Sequence, residues 1–175
     1  ENDMYVIINM HWDWVSDGSQ WLNQGSGAKT QFLTMWTEIA NYFKDYDRHL
    51  VFEDMNEVTF DYATLNDFNA SFVDTVRATG GNNADRLLLL AGSNTNQEQT
   101  CNSQFVVPDD DMVAVSIHYY TPPQWCVAEP GASWGYNSTW GTDAEVKAVY
   151  DDFNEMANYF VTQGVPVIIG EYGVL

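Results

Sequence analysis

The chain has 175 residues, and its 25 acidic and 6 basic side chains give a net charge of −19. So negative a surface repels phosphate backbones and anionic lipid heads, which argues against nucleic acid and membrane as partners. With 45% hydrophobic and 15% aromatic residues, the acidity does not signal disorder, and the apolar matter suffices for one core.

Met4 to Asn9 is a nearly continuous apolar run, as expected of a strand buried on both faces. A loop rich in Gly, Ser and Trp follows from His11 to Gly27. Lys29 to Tyr46 has helical spacing, with Phe32, Met35, Trp36, Ile39, Ala40 and Phe43 on one face. A second strand begins at Leu50 and is expected to end at Glu57. Ala63 to Thr79 is a second helix, stopped by Gly80-Gly81. Leu87 to Ala91 is a third strand, closed by Gly92-Ser93-Asn94, with a helical turn expected between Asn94 and Cys101. Val113 to Ile117 is a fourth strand and runs into His118-Tyr119-Tyr120. After a long loop to Thr142, Asp143 to Gln163 forms a third helix with Val146, Val149, Tyr150, Phe153, Met156, Ala157 and Phe160 as its inner stripe. Gly164 caps it, and Val165 to Ile169 is the fifth strand.

Alternating strands and helices imply parallel strands with right-handed crossovers. Both a doubly wound sheet and a barrel fit five such strands, but a nucleotide-binding sheet would show a Gly-rich phosphate loop after its first strand, and none is present. Polar residues instead gather at the carboxyl ends of the strands: His11, Asn56 with Glu57, Asn94, His118 with Tyr120, and Glu171. Functional groups collect there in a barrel, so the fold class is α/β, a partial (β/α)8 TIM barrel. Residues 1–175 are expected to be part of one catalytic domain, an internal segment of a longer protein.

Glu57 and Glu171 each follow an apolar strand, where a charge is costly. Two facing carboxyls are what splitting a glycosidic bond with retention requires: one protonated to donate to the leaving oxygen, one ionised to attack. Alone, either glutamate reads as a solvated strand-end residue; the pair with Asn56 and Tyr120 reads as a site. Asn56 is a candidate to bond a sugar hydroxyl, although Asn is also common in turns. His11 and His118 are placed to tune a carboxyl or bind sugar, and Tyr120 to hold a carboxylate ionised; His49 reads as structural. Trp36 belongs to the core. Trp12, Trp14, Trp21, Trp125, Trp134 and Trp140 lie in loops on the carboxylate face, where flat rings suit pyranose C–H faces. Trp12 and Trp125 are taken as substrate-binding, while other loop tryptophans pack the loops. Asp109-Asp110-Asp111 lacks a calcium-loop pattern and reads as a surface turn. Cys101 and Cys126 make no zinc site, and both a disulfide and two free thiols remain open.

The segments VIINMHWDW, LVFEDMNEV, SIHYY and VPVIIGEYG resemble the third, fourth, sixth and seventh barrel strands of glycoside hydrolase family 5. The resemblance covers nearly the whole chain. It implies an endo-β-1,4-glucanase, secreted and without cofactor or metal, with Glu57 as acid/base and Glu171 as nucleophile. It further implies that Asn56 supports the acid/base side, that His118 and Tyr120 orient the carboxyls, and that His11 lines the cleft. The expected partner is a β-glucan chain or oligosaccharide; no protein partner is evident. Val58 stands where many members have proline. The alternatives are the same mechanism on mannan, xyloglucan or mixed-linkage glucan, or a non-catalytic carbohydrate-binding barrel.

Overall fold

The computed structural model describes residues 3–11, 22 and 26–175. Five strands, β1 (Val6–Asn9), β2 (Leu50–Glu53), β3 (Leu88–Asn96), β4 (Val113–Tyr119) and β5 (Val167–Tyr172), form one sheet in the order β1-β2-β3-β4-β5. Every pair is parallel. The long helices α1 (Ser26–Phe43), α2 (Tyr62–Ala78) and α5 (Asp143–Tyr159) return the chain between strands, with short turns α3 (Gln97–Thr100) and α4 (Pro123–Cys126) between them. Neighbours in sequence are neighbours in the sheet and all run one way. This is the succession of a (β/α)8 barrel, of which the described residues hold five strands.

The predicted stripe on α2 is buried, and that on α1 is buried at Phe32, Trp36 and Ala40, whereas its Met35 is exposed. Phe32, Trp36 and Ala40 pack against Phe52, Leu65, Phe68, Phe72 and Val76, with Trp36 edge-on to Phe72 at 4.7 Å. Asp61 starts α2 by accepting from the Thr64 N–H, and α5 opens on a capping box between Thr142 and Glu145. At the amino ends of the strands, the buried Arg86 guanidinium donates to the carbonyls of Phe43, Tyr46, Asp47 and Leu50. It thereby satisfies the exit of α1, whose last carbonyls have no partner within the helix. Arg77 forks onto Asp110 through two bonds of 2.7 and 2.9 Å, so the acidic triplet is a pinned turn.

The boundaries differ from expectation in ways that shape the site. β2 stops at Glu53 rather than Glu57, and residues 54–57 leave the sheet. β3 does not close at Ala91 but continues to Asn96 through an irregularity, after which Asn96 pairs with His118. Gly92 permits this course, because a Cβ there would sit 1.9 Å from Thr100 Oγ1. The inner stripe of α5 is covered only in part: Met156 and Phe160 are buried, whereas Val146, Tyr150 and Phe153 are exposed. β1, expected to be buried on both faces, exposes Tyr5, Val6 and Ile7 around its start. Both belong to the open ends of the sheet, which a closed barrel covers.

Candidate active site

The carboxyl ends of β1, β2, β4 and β5 converge. His118, at the end of β4, has a side chain only 4% exposed. Its Nδ1 lies 2.8 Å from Glu57 Oε1 and 3.4 Å from Glu171 Oε2. Tyr120, two residues on, donates its hydroxyl to Glu171 Oε2 at 3.0 Å. His11 Nε2 lies 3.9 Å from Glu171 Oε1. One oxygen from each glutamate and the His118 nitrogen all lie within 4.8 Å of one another. Three such groups also have the composition of a metal site.

Glu57 sits on an unusual piece of backbone. Its φ is +49°, and Asn94 and Thr95 opposite it have φ of +54° and +48°. The two segments brace each other: Glu57 N–H donates to Thr95 Oγ1 at 2.9 Å, and Asn94 N–H to Val58 O at 2.7 Å. The extension of β3 is therefore what positions the first glutamate. Glu171 lies within β5 and is placed by the sheet itself.

Electrostatics separate the groups. The His118 hydrogen bond holds the Glu57 carboxyl below its usual range, against the opposing effect of burial. Burial, together with the bond to Glu171, raises the Tyr120 hydroxyl, so Tyr120 stays a donor. Asp54, behind Glu57, is fully buried, and burial pushes it well above the carboxylate range. Cys101 and Cys126 are buried free thiols, and burial raises Cys101 to about 11.

A cavity of about 450 Å³ opens beside Glu57 and His118, lined further by Asn94, Asn96, Gln97 and Tyr120. The Asn56 Oδ1 is buried with no hydrogen-bond partner among the described residues. Trp125 is half-buried and stacks on Trp140 at 5.5 Å and 27°; it is not among the residues lining this cavity. Trp12 lies outside the described residues, as do Trp14 and Trp21. The structure thus brings together Glu57, Glu171, His118, Tyr120 and His11. Sequence reasoning missed Thr95, whose sign was the Asn-Thr-Asn stretch after an apolar strand. It also missed the set of Asn9, Glu53 and Ser116 beneath the site, of which Glu53 and Ser116 are buried and Asn9 half-buried, and only Glu53 offered a signal, as a charge in an apolar run.

Parallel strands in chain order with polar groups gathered at their carboxyl ends are the arrangement of a (β/α)8 barrel. The whole chain, residues 1–175, matches the model of the family described as cellulase, glycosyl hydrolase family 5. It belongs to that family. Among curated relatives, it is 38% identical to an endoglucanase A from Paenibacillus barcinonensis, over 97% of this chain and 50% of the relative. Among solved structures, it matches a GH5-4 broad-specificity endoglucanase from an uncultured bovine rumen ciliate at 48% identity and a TM-score of 0.92, over 98% of this chain and 53% of that one. A GH5 lichenase from a Caldicellulosiruptor species, solved in complex with cellotetraose, matches at 30% identity and a TM-score of 0.86, over 99% of this chain and 53% of that one. The chain spans about half the length of these relatives.

Proposed function

We propose that the full-length protein cleaves internal β-1,4-glucosidic bonds of cellulose or related β-glucans with retention. Glu171 is the nucleophile and Glu57 the acid/base. The observation that carries this reading is the approach of the two carboxyls, with oxygens within 4.8 Å. A retaining enzyme needs about 5 to 5.5 Å, whereas an inverting one needs at least about 6.5 Å to admit a water. Tyr120 donates to Glu171 and favours its ionised, attacking form. Glu171 attacks the anomeric carbon, and the bond to the leaving oxygen breaks as Glu57 protonates that oxygen. Glu57 then takes a proton from the water that attacks the glycosyl-enzyme and releases the sugar.

For the first step Glu57 must carry a proton, yet the His118 hydrogen bond lowers its pKa and so favours the ionised form. The His118 Nδ1 proton has a second acceptor, Glu171 Oε2, at 3.4 Å. When Glu57 turns to the leaving oxygen, His118 turns to the nucleophile, and both carboxyls reach the states the reaction needs. Asn56, beside Glu57, is assigned to a sugar hydroxyl, and Trp12 and Trp125 to sugar rings. Residues 1–175 are taken as the central part of one catalytic domain, with the remaining strands of the barrel supplied by flanking chain. A polymeric glucan is too large to enter a cell, so the enzyme acts outside it; no helix among the described residues is long and apolar enough to cross a membrane.

In the full-length protein, Glu171→Gln is expected to bind cellotetraose and to lose hydrolysis by roughly three decades or more. Near-normal turnover would refute the assignment. Rates on cellulose, mixed-linkage glucan, xyloglucan and mannan separate the substrate readings, and binding without sugar release from any of them would favour a non-catalytic barrel.

A further inference from the structure

Glu53 is a charged side chain that the displacement scheme leaves unused, and it is only 5% exposed. It ends β2, four residues before Glu57. Its Oε2 accepts from Asn9 Nδ2 of β1 at 2.7 Å, and its Oε1 accepts from Ser116 Oγ of β4. Oε1 also lies 3.7 Å from where a Cβ on Gly170 of β5 would be, and that Cβ would crowd Ser116 Oγ at 3.0 Å. Since β3 separates β2 from β4 in the sheet, a side chain that reaches Ser116 and Gly170 must cross the inner, concave face. Glu53 therefore forms part of the floor under the two catalytic candidates.

A carboxylate offers acceptors only, so the Asn9 amide must turn its NH2 toward Glu53. That same Nδ2 lies 3.5 Å from His11 Nδ1. Its second hydrogen meets the lone pair on Nδ1, which leaves the ring proton on Nε2. Nε2 is the atom that faces Glu171 Oε1, at 3.9 Å. Other titratable groups around this floor are Asp54 on the segment after β2, His118 on β4 and Glu171 on β5.

We propose that Glu53 is a positioning residue that acts through Asn9 to fix the tautomer and aim of His11 against the Glu171 carboxylate. The proposal rests on the glycosidase reading of Glu171. The alternative role, a plain tie between strands, would affect stability but not the histidine.

The test uses full-length protein and two disruptions of the same link. Glu53→Met removes the acceptors while keeping bulk, and Asn9→Ala removes the bridge. Each is expected to lower kcat on cellotetraose roughly ten- to hundredfold, as lost orienting shells commonly do, with KM changed by less than about twofold. Because both break one path, the double variant should be no slower than the slower single variant. Glu53→Gln, which keeps one acceptor, should fall between wild type and Glu53→Met. Nitrogen NMR of His11 should show the Nε2–H form in wild type and a mixture in both variants. This signal needs no turnover, so it decides the positioning claim separately from the glycosidase reading. That reading fails instead if wild type releases no sugar from any β-glucan. An unchanged His11 tautomer, or kcat losses that multiply in the double variant, would overturn the proposal. If Glu53→Met does not fold, Asn9→Ala carries the tautomer measurement alone.

Discussion

Thr95 Oγ1 accepts the backbone N–H of Glu57 at 2.9 Å, a contact between residues 38 apart in the chain. Both residues have positive φ, a region that costs a non-glycine residue about 1–3 kcal/mol and is hardest for a β-branched one. The strain persists because each turn holds the other. It places the glutamate off the end of β2, where the sheet alone would not put it.

Thr95→Ser keeps the hydroxyl, and near-normal kcat is expected. Thr95→Gly relieves the strain but leaves the Glu57 N–H without its acceptor. It should melt close to wild type yet turn over more slowly, with KM little changed. Thr95→Val keeps both shape and strain without the acceptor and should lose about 1–3 kcal/mol of stability as well as activity. Parallel melting curves and kcat measurements on full-length protein check this; a Thr95→Gly enzyme with wild-type kcat would refute the role given to the bond.

The His118 hydrogen bond lowers the Glu57 pKa, so the pH profile should report it. In the proposed mechanism the first step needs Glu57 protonated, so activity should fall as pH rises through the Glu57 pKa, and that fall should form the alkaline limb of kcat/KM. The His118 bond lowers that pKa; its removal raises it. His118→Ala should therefore shift the alkaline limb to higher pH, while kcat drops because Glu171, the proposed nucleophile, loses its second donor. A limb that stays in place, or moves to lower pH, would show that another group controls it.

The parts legible in the sequence are those with local causes. Apolar runs such as Val113 to Ile117 and stripes such as Phe32, Trp36 and Ala40 mark strands and helices through short-range periodicity. Glu57, His118 and Glu171 stood out because polar groups ended those runs. The tail of β3 was not legible: Gly92-Ser93-Asn94-Thr95-Asn96 has turn composition, and it is strand only because Asn96 meets His118 across the sheet. The floor was hidden for the same reason, since Glu53 finds Asn9 and Ser116 at separations of 44 and 63 residues. The stripe on α5 reads as an inner face from its spacing, but only Met156 and Phe160 are buried, while Val146, Tyr150 and Phe153 are exposed.

That uncovered stripe sets the last expectation. Val146, Val149, Tyr150 and Phe153 line a cavity of about 440 Å³ with Trp140, and at the β1 edge Met4, Tyr5, Val6 and Ile7 are exposed. Strand edges with free N–H and C=O groups beside apolar side chains pair with other chains, and apolar patches of this kind associate. Residues 1–175 expressed alone should therefore elute as oligomers or aggregate on size exclusion. The like charge of the chains, −19 each, opposes this, so association should strengthen as salt screens the repulsion. Replacing Tyr5 and Ile7 with lysine should reduce it by charging the β1 edge. A sharp monomer peak with a cooperative melt at all salt concentrations would mean that the five-strand sheet seals itself.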